Sequence, residues 1–171
     1  MEIISAYPQF FTASIYEMKH LLKQDKYKQI ILDSLAFLVN DKRIYLYAFC
    51  IMSNHLHLIW QMCPGHKREN VQRDFLKFTG QAFRFDLLAN HPLVFPHFEV
   101  NLKDRKYQFW QRNPLSIDLY NNEVFMQKLE YIHWNPVKAA ICNLPETYKW
   151  SSAGFYENND TEFSFLSHFS G

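Results

Sequence analysis

Several things are scarce in this chain. Its three cysteines, Cys50, Cys63 and Cys142, are an odd, scattered set with no paired spacing of the kind a zinc knuckle needs. They read as ordinary reduced thiols. No apolar run approaches the ~18 residues that span a bilayer, and no basic-then-apolar leader opens the chain, so no membrane partner and a cytoplasmic location are expected. The net charge is only +1, which removes any argument for a polyanion ligand from global charge.

What is present is an abundance of apolar and aromatic side chains. Hydrophobic residues make up 48% of the 171, enough to bury the core of one domain and too short a chain for two. Residues 1–156 are expected to form that domain, with 157–171 as an acidic tail. The aromatic share of 18% fits either an aromatic core or flat surfaces on which bases stack. Charge is unevenly spread. Lys67, Arg68, Arg73, Lys77 and Arg84 form one basic cluster, and Lys103, Arg105, Lys106 and Arg112 form another, whereas the tail holds Glu157, Asp160 and Glu162 with no Lys or Arg. A basic body with an acidic tail suits a polyanion binder, although a solvated helix face accounts for the first cluster equally well.

Periodicity outlines the elements. Gln9 to Tyr16 is aromatic and β-branched and reads as a strand. A helix with an irregular start follows over residues 17–39, then a turn at Asn40-Asp41-Lys42 and a strand from Arg43 to Ile51. His55 to Met62 completes a hairpin through Met52-Ser53-Asn54, and residues 68–89 repeat apolar positions at three and four, as an amphipathic helix does. Pro92 and Pro96 open an irregular stretch, with Tyr107–Gln111 as the fourth strand. Asn121-Asn122-Glu123 starts a helix that carries Tyr131. It is expected to end at Asn135, before Pro136, with a short helix after it. Trp150 to Tyr156 is a packing segment, and the acidic end is expected to be mobile or partly docked through Phe163, Phe165 and Phe169. The order implies an α+β sandwich of ferredoxin or RRM type, with a mainly antiparallel sheet and helices packed on one face.

Two stretches carry the chemistry. In Asn54-His55-Leu56-His57-Leu58 strand alternation turns both imidazoles to one face, which makes two thirds of a divalent-metal site on a rigid element. In Tyr131-Ile132-His133-Trp134-Asn135-Pro136 helical spacing puts Tyr131 and Asn135 together. If that face covers the histidines, the Asn135 oxygen completes the metal shell and the Tyr131 hydroxyl stands beside it as a nucleophile. Each residue also has a plainer reading. The histidines could be surface or satisfied core groups, Tyr131 could be core, and Asn135 before Pro136 is a preferred helix cap.

His-hydrophobe-His on a strand, followed by Tyr-Ile-x-x-Asn-Pro-Val-Lys-Ala at 131–139, resembles the REP-associated tyrosine transposases of the single-tyrosine HUH superfamily. Tyr45–Phe49 before the histidines and Trp150-Ser151-Ser152 after the tyrosine helix share the likeness, which runs from about Phe10 to Tyr156. Ser53 departs from the proline usual there and leaves both histidines intact, and the connection before Trp110-Gln111-Arg112 is longer than usual. The resemblance implies the HUH endonuclease fold, Mg²⁺ or Mn²⁺ held by His55, His57 and Asn135, and Tyr131 attacking single-stranded, hairpin-containing DNA to form a 5′-phosphotyrosine. Lys103, Arg105, Lys106 and Arg112 would contact phosphates. His133 is a further helper for deprotonation, though its place on the helix favours packing. Both monomers and homodimers fit such a site. A non-catalytic RRM-like single-stranded nucleic-acid-binding domain and a metal-dependent hydrolase of small substrates remain as competing readings.

Overall fold

The computed structural model describes residues 6–171. Four strands, β1 (Gln9–Ser14), β2 (Ile44–Ile51), β3 (His55–Met62) and β4 (Leu115–Asp118), form one antiparallel sheet in the order β2-β3-β1-β4. The helices are α1 (Asp25–Asn40), α2 (Arg68–Asn90), α3 (Asn122–Lys138) and the short α4 (Ala153–Glu157). The α+β sandwich of ferredoxin type is therefore what forms. No described helix is long and apolar enough to cross a membrane.

Strand alternation gives the sheet two unlike faces. Phe11, Ala13, Leu56, Leu58 and Trp60 face α1 and α2, where Ile31, Leu35, Phe75 and Phe83 complete a dry core. Phe10 and Ile59 point the other way and meet Phe125, Leu129 and Ile132 of α3. Thus α1 and α2 share one face as expected, and α3 adds a third layer on the opposite one. A bulge at Tyr47, between the Leu46–Trp60 and Ala48–Ile59 pairs, turns Tyr47 and Ala48 both toward α3.

The edge of β2 is covered twice. Trp150–Ser152 runs against Phe49–Ile51, through Ile51 N–H to Trp150 O (2.8 Å) and Ser152 N–H to Phe49 O (2.9 Å). Further along, Ser167 N–H donates to Leu46 O at 2.9 Å. The tail is docked by its phenylalanines: Phe169 stacks on Phe125 at 4.5 Å, and Phe163 meets Phe49 edge-on at 5.0 Å. Such cover leaves few ladder groups of β2 open to another chain.

Two sequence expectations give way. The fourth strand is Leu115–Asp118, not Tyr107–Gln111. Tyr107 instead bridges Glu99 in a small hairpin, and Trp110 makes a single bridge to Ile15 beyond the end of β4. The Tyr-Gln-Phe-Trp run is apolar because it packs on α2, with the Trp110 indole N–H donating to Thr79 at 2.9 Å, and not because it pairs in a ladder. Strand propensity here reports burial.

The second concerns α3, which runs through Pro136 to Lys138 as one helix. Proline costs the bond its missing N–H would make, and near the last turn little else is lost. The helix ends just beyond it, with Ala140 in the left-handed region (φ 59°) and Ile141 N–H closing on Pro136 O at 2.9 Å, a Schellman-type stop. Asn121 caps the other end, its Oδ1 accepting from Val124 N–H at 2.9 Å.

Candidate active site

The histidines lie on the α3 face because β3 pairs with β1 in a register that sets Thr12 opposite His57 and Ser14 opposite His55. The Thr12 hydroxyl meets His57 Nδ1 at 2.7 Å. Asn54 Oδ1, which can only accept, lies 2.7 Å from His55 Nδ1, so that nitrogen carries the proton. Both rings thus have their Nδ1 edge occupied by a neighbour. Their Nε2 atoms are left to face a shared ligand, the arrangement by which outer partners orient metal-binding imidazoles. The ring centres are 4.9 Å apart.

Asn135 joins them. Because α3 continues past it, the cap reading fails and its amide is free to reach the sheet: Nδ2 stands 3.4 Å from His57 Nε2. Tyr131, one turn earlier, meets the His57 ring edge-on at 5.4 Å. The four motif residues of two distant stretches therefore converge. Phe10 walls the site from below, stacked on His57 at 5.4 Å and edge-on to Tyr131 at 5.8 Å.

Burial sets the charge states. His57 is 4% exposed, and burial, with the nearby His55 and Lys128 adding to it, lowers its pKa to about 3. Burial lowers His55 as well, against the nearby Asn135 carboxamide, which as an acceptor favours the charged ring. Both are held as neutral imidazole, the form that ligates a metal. Tyr131, by contrast, is 41% exposed.

Among the described residues no group of three or more His, Cys, Asp or Glu side chains is placed to hold a metal ion. The donor set here is a different one, two imidazole nitrogens and a carboxamide. It fits a divalent cation with positions left open for phosphate oxygens, and its two nitrogens suit Mn²⁺ better than Mg²⁺, which prefers oxygen.

His133 is not part of the site. It is buried on another side of α3, bonded to Ser152 Oγ at 2.8 Å, and burial takes its pKa to about 4. Since Ser152 also accepts Phe49 N–H at 3.0 Å, the pair ties α3 to the edge of β2. The Trp-Ser-Ser motif is thereby a structural strap. Ser53, where proline is usual, puts its hydroxyl 2.7 Å from His20, while its carbonyl accepts from Leu22 N–H at 2.9 Å and that of Asn54 from Ile15 N–H at 2.8 Å. The turn bearing His55 is anchored from three sides.

Lys103, Arg105, Lys106 and Arg112 are exposed. Arg105 and Arg112 share Asp104 at 3.0 Å each. Together with Arg73, Lys77 and Arg84 of α2 the two arginines line a broad groove. Its loop rejoins the sheet where Gln111 N–H donates to Ser14 O at 2.7 Å, and Ser14 is the register partner of His55. The basic loop thus leads to the strand end that carries the histidines.

Sequence reasoning missed Thr12, Phe10 and Lys128. Lys128 Nζ lies 4.8 Å from the Phe10 ring centre and 5.5 Å from that of Tyr131. Its position three residues before Tyr131 on one helix was a usable signal. Thr12 and Phe10 offered none, because strand register is a property of the folded sheet.

No family model and no curated protein matches the sequence. Solved structures do. A REP-associated tyrosine transposase bound to a REP hairpin superposes with a TM-score of 0.67 at 18% identity, over 100% of this chain and 89% of that one. A protein of Deinococcus radiodurans R1, thought to be a transposase, gives 0.53 at 13% identity, over 77% of this chain and 92% of that one. The chain therefore has, from end to end, the fold of a REP-associated tyrosine transposase, the likeness that its His-x-His and Tyr-x-x-x-Asn motifs implied.

Proposed function

We propose that this protein is a metal-dependent transposase that cuts and rejoins single-stranded, hairpin-containing DNA with Tyr131 as nucleophile. One observation carries the reading: Tyr131 and Asn135, four apart on α3, are brought against the two buried, neutral imidazoles of β3. A lone surface His-x-His has no such company, and a binding sheet has no need of it.

A divalent ion held by His55, His57 and Asn135 would draw charge from the scissile phosphate and favour ionisation of the phenol. The rest belongs to the chain. The Tyr131 oxygen attacks phosphorus, the bond from phosphorus to the 3′-oxygen breaks, and that oxygen leaves as a 3′-hydroxyl while the 5′ end stays on the tyrosine. The phosphodiester is exchanged for a phosphotyrosine ester and not hydrolysed, so the 3′-hydroxyl can reverse the step without a nucleotide cofactor. Lys128, beside Tyr131, places positive charge where the phosphate must come. Lys103, Arg105, Lys106 and Arg112 would hold the flanking DNA by its backbone. Tyr131 covers the histidines of its own chain, which supports a site assembled within one protomer.

The test is a denaturing gel on which labelled single-stranded hairpin DNA is followed in Mn²⁺ or EDTA. A covalent adduct that needs Mn²⁺ and disappears in Tyr131→Phe and His55→Ala is the expected result. Metal-independent binding with no adduct across a pool of hairpins would leave the RRM-like binding domain in its place, and turnover of a small substrate spared in Tyr131→Phe would leave the hydrolase.

A further inference from the structure

Three of the four tryptophans are core residues: Trp60 is 0% exposed, and Trp110 and Trp150 are 7%. Trp134 keeps 39% of its surface in water. Its place on α3 gives that exposure a meaning. Gln127, Tyr131, Trp134 and Lys138 follow one another at intervals of four, three and four, which aligns them on one helical face. With Glu130 they line a shallow groove on that face. Lys138 Nζ stands 5.6 Å from the Tyr131 ring centre, so the nucleophile borders both the histidine pair and this groove.

An open indole and an ammonium flanking an attacking tyrosine make a surface of defined chemistry. The indole offers a face that any nucleobase can stack on, and the ammonium offers a phosphate partner. Glu130 is the one anion in this groove, and the cavity on the other side of Trp134 adds Glu123, Glu146 and Glu157, so a phosphate is confined to the Lys138 side, while the Glu130 carboxylate, which can only accept, suits an exocyclic amino group. We propose that the groove is a nucleotide subsite adjoining the attacked phosphate, in which a single-stranded DNA base stacks on Trp134 and the neighbouring phosphate pairs with Lys138. The proposal rests on the transposase reading for the identity of the strand. It adds where the strand lies once it has passed Tyr131.

The burial pattern supplies the assay, because Trp134 is the tryptophan that a ligand can reach. The full-length chain carrying Tyr131→Phe, which forms no covalent product, is titrated with single-stranded oligodeoxycytidylate, whose bases carry an exocyclic amino group, while tryptophan emission is followed. Quenching is expected, and it should vanish when Trp134→Phe is added although binding, followed by anisotropy of labelled DNA, stays within about threefold. Trp134→Ala should weaken that binding by about tenfold or more, the usual loss when a stacked base loses its platform. Lys138→Gln should lower the slope of log affinity against log salt by about 0.7, one phosphate contact on a single strand. Quenching that survives Trp134→Phe, or Trp134→Ala binding as tightly as its parent, overturns the subsite. Neither result touches the adduct assay on the unsubstituted protein, so a failed subsite and a failed transposase reading are told apart.

Discussion

The two faces of the four-stranded sheet do opposite work. On one, Phe11, Trp60 and Phe75 pack ring against ring, at 4.8 and 5.7 Å, under α1 and α2. On the other, Thr12, next to Phe11, and His57, between Leu56 and Leu58, bond each other beneath Tyr131. The first face stores stability, and the second holds polar groups in a fixed geometry that apolar packing alone would not select. Alternation keeps them apart: each site side chain sits next in sequence to a core side chain, so the site is as rigid as the core that backs it.

The comparison is broken most sharply by Tyr131→Phe. The covalent adduct should fall below detection while the unfolding midpoint hardly moves, since the hydroxyl belongs to a half-exposed side chain. The opposite-face counterpart is Trp60→Ala, which empties a fully buried site and should cost about 3–5 kcal/mol in chemical denaturation. If Trp60→Ala left stability intact, the division of labour between the faces would be wrong.

Thr12→Val sharpens the picture. It leaves His57 Nδ1 without its partner and should weaken Mn²⁺ binding by about 10–100-fold, as loss of an outer partner of a ligating histidine does. Isothermal titration of the metal decides it, and unchanged affinity would mean that the hydroxyl does not orient the ring.

The smallest effect lies on the storing face. Asp86 of α2 accepts from Tyr27 at 2.6 Å and pairs with Lys26 of α1 at 2.7 Å. Burial works to raise its pKa, and the bonds from Lys26, Tyr27 and Asn90 outweigh it, so the carboxyl is held below its usual range. A lowered folded pKa means that the unfolded chain binds the proton first on acidification. The stabilisation is therefore complete above pH ~4 and lost as the pH falls through the folded value. Asp86→Asn should cost about 1 kcal/mol at neutral pH, partial exposure of the pair being allowed for. That difference should close below pH ~4 in urea melts of the two proteins.

Much of this was legible before the fold. The β3 hairpin, α2 and the start of α3 were readable because each has a clean period and a marked end; short-range geometry paired His55 with His57 and Tyr131 with Asn135 on shared faces, and the family resemblance singled these four out over their plainer readings. Leu115–Asp118 was not legible as a strand. It is an edge segment of four half-exposed residues, and what makes it a strand is pairing with Gln9–Thr12. The role of Asn135 was ambiguous for a similar reason: Asn-Pro is a local helix-start signal, and only the packing of α3 across β2 and β3 carries the helix through it.

The sequence by itself determined the local pairs, histidine with histidine along a strand and tyrosine with asparagine along a helix, because those depend on periods of two and 3.6 that any chain obeys. Only the tertiary structure decided that the pairs meet, that Thr12 and Asn54 aim the imidazoles, that Phe10 walls them and that Trp134 stays open beside Tyr131. Those contacts join residues far apart in the chain, and their partners are chosen by strand register and helix packing, which no single segment encodes.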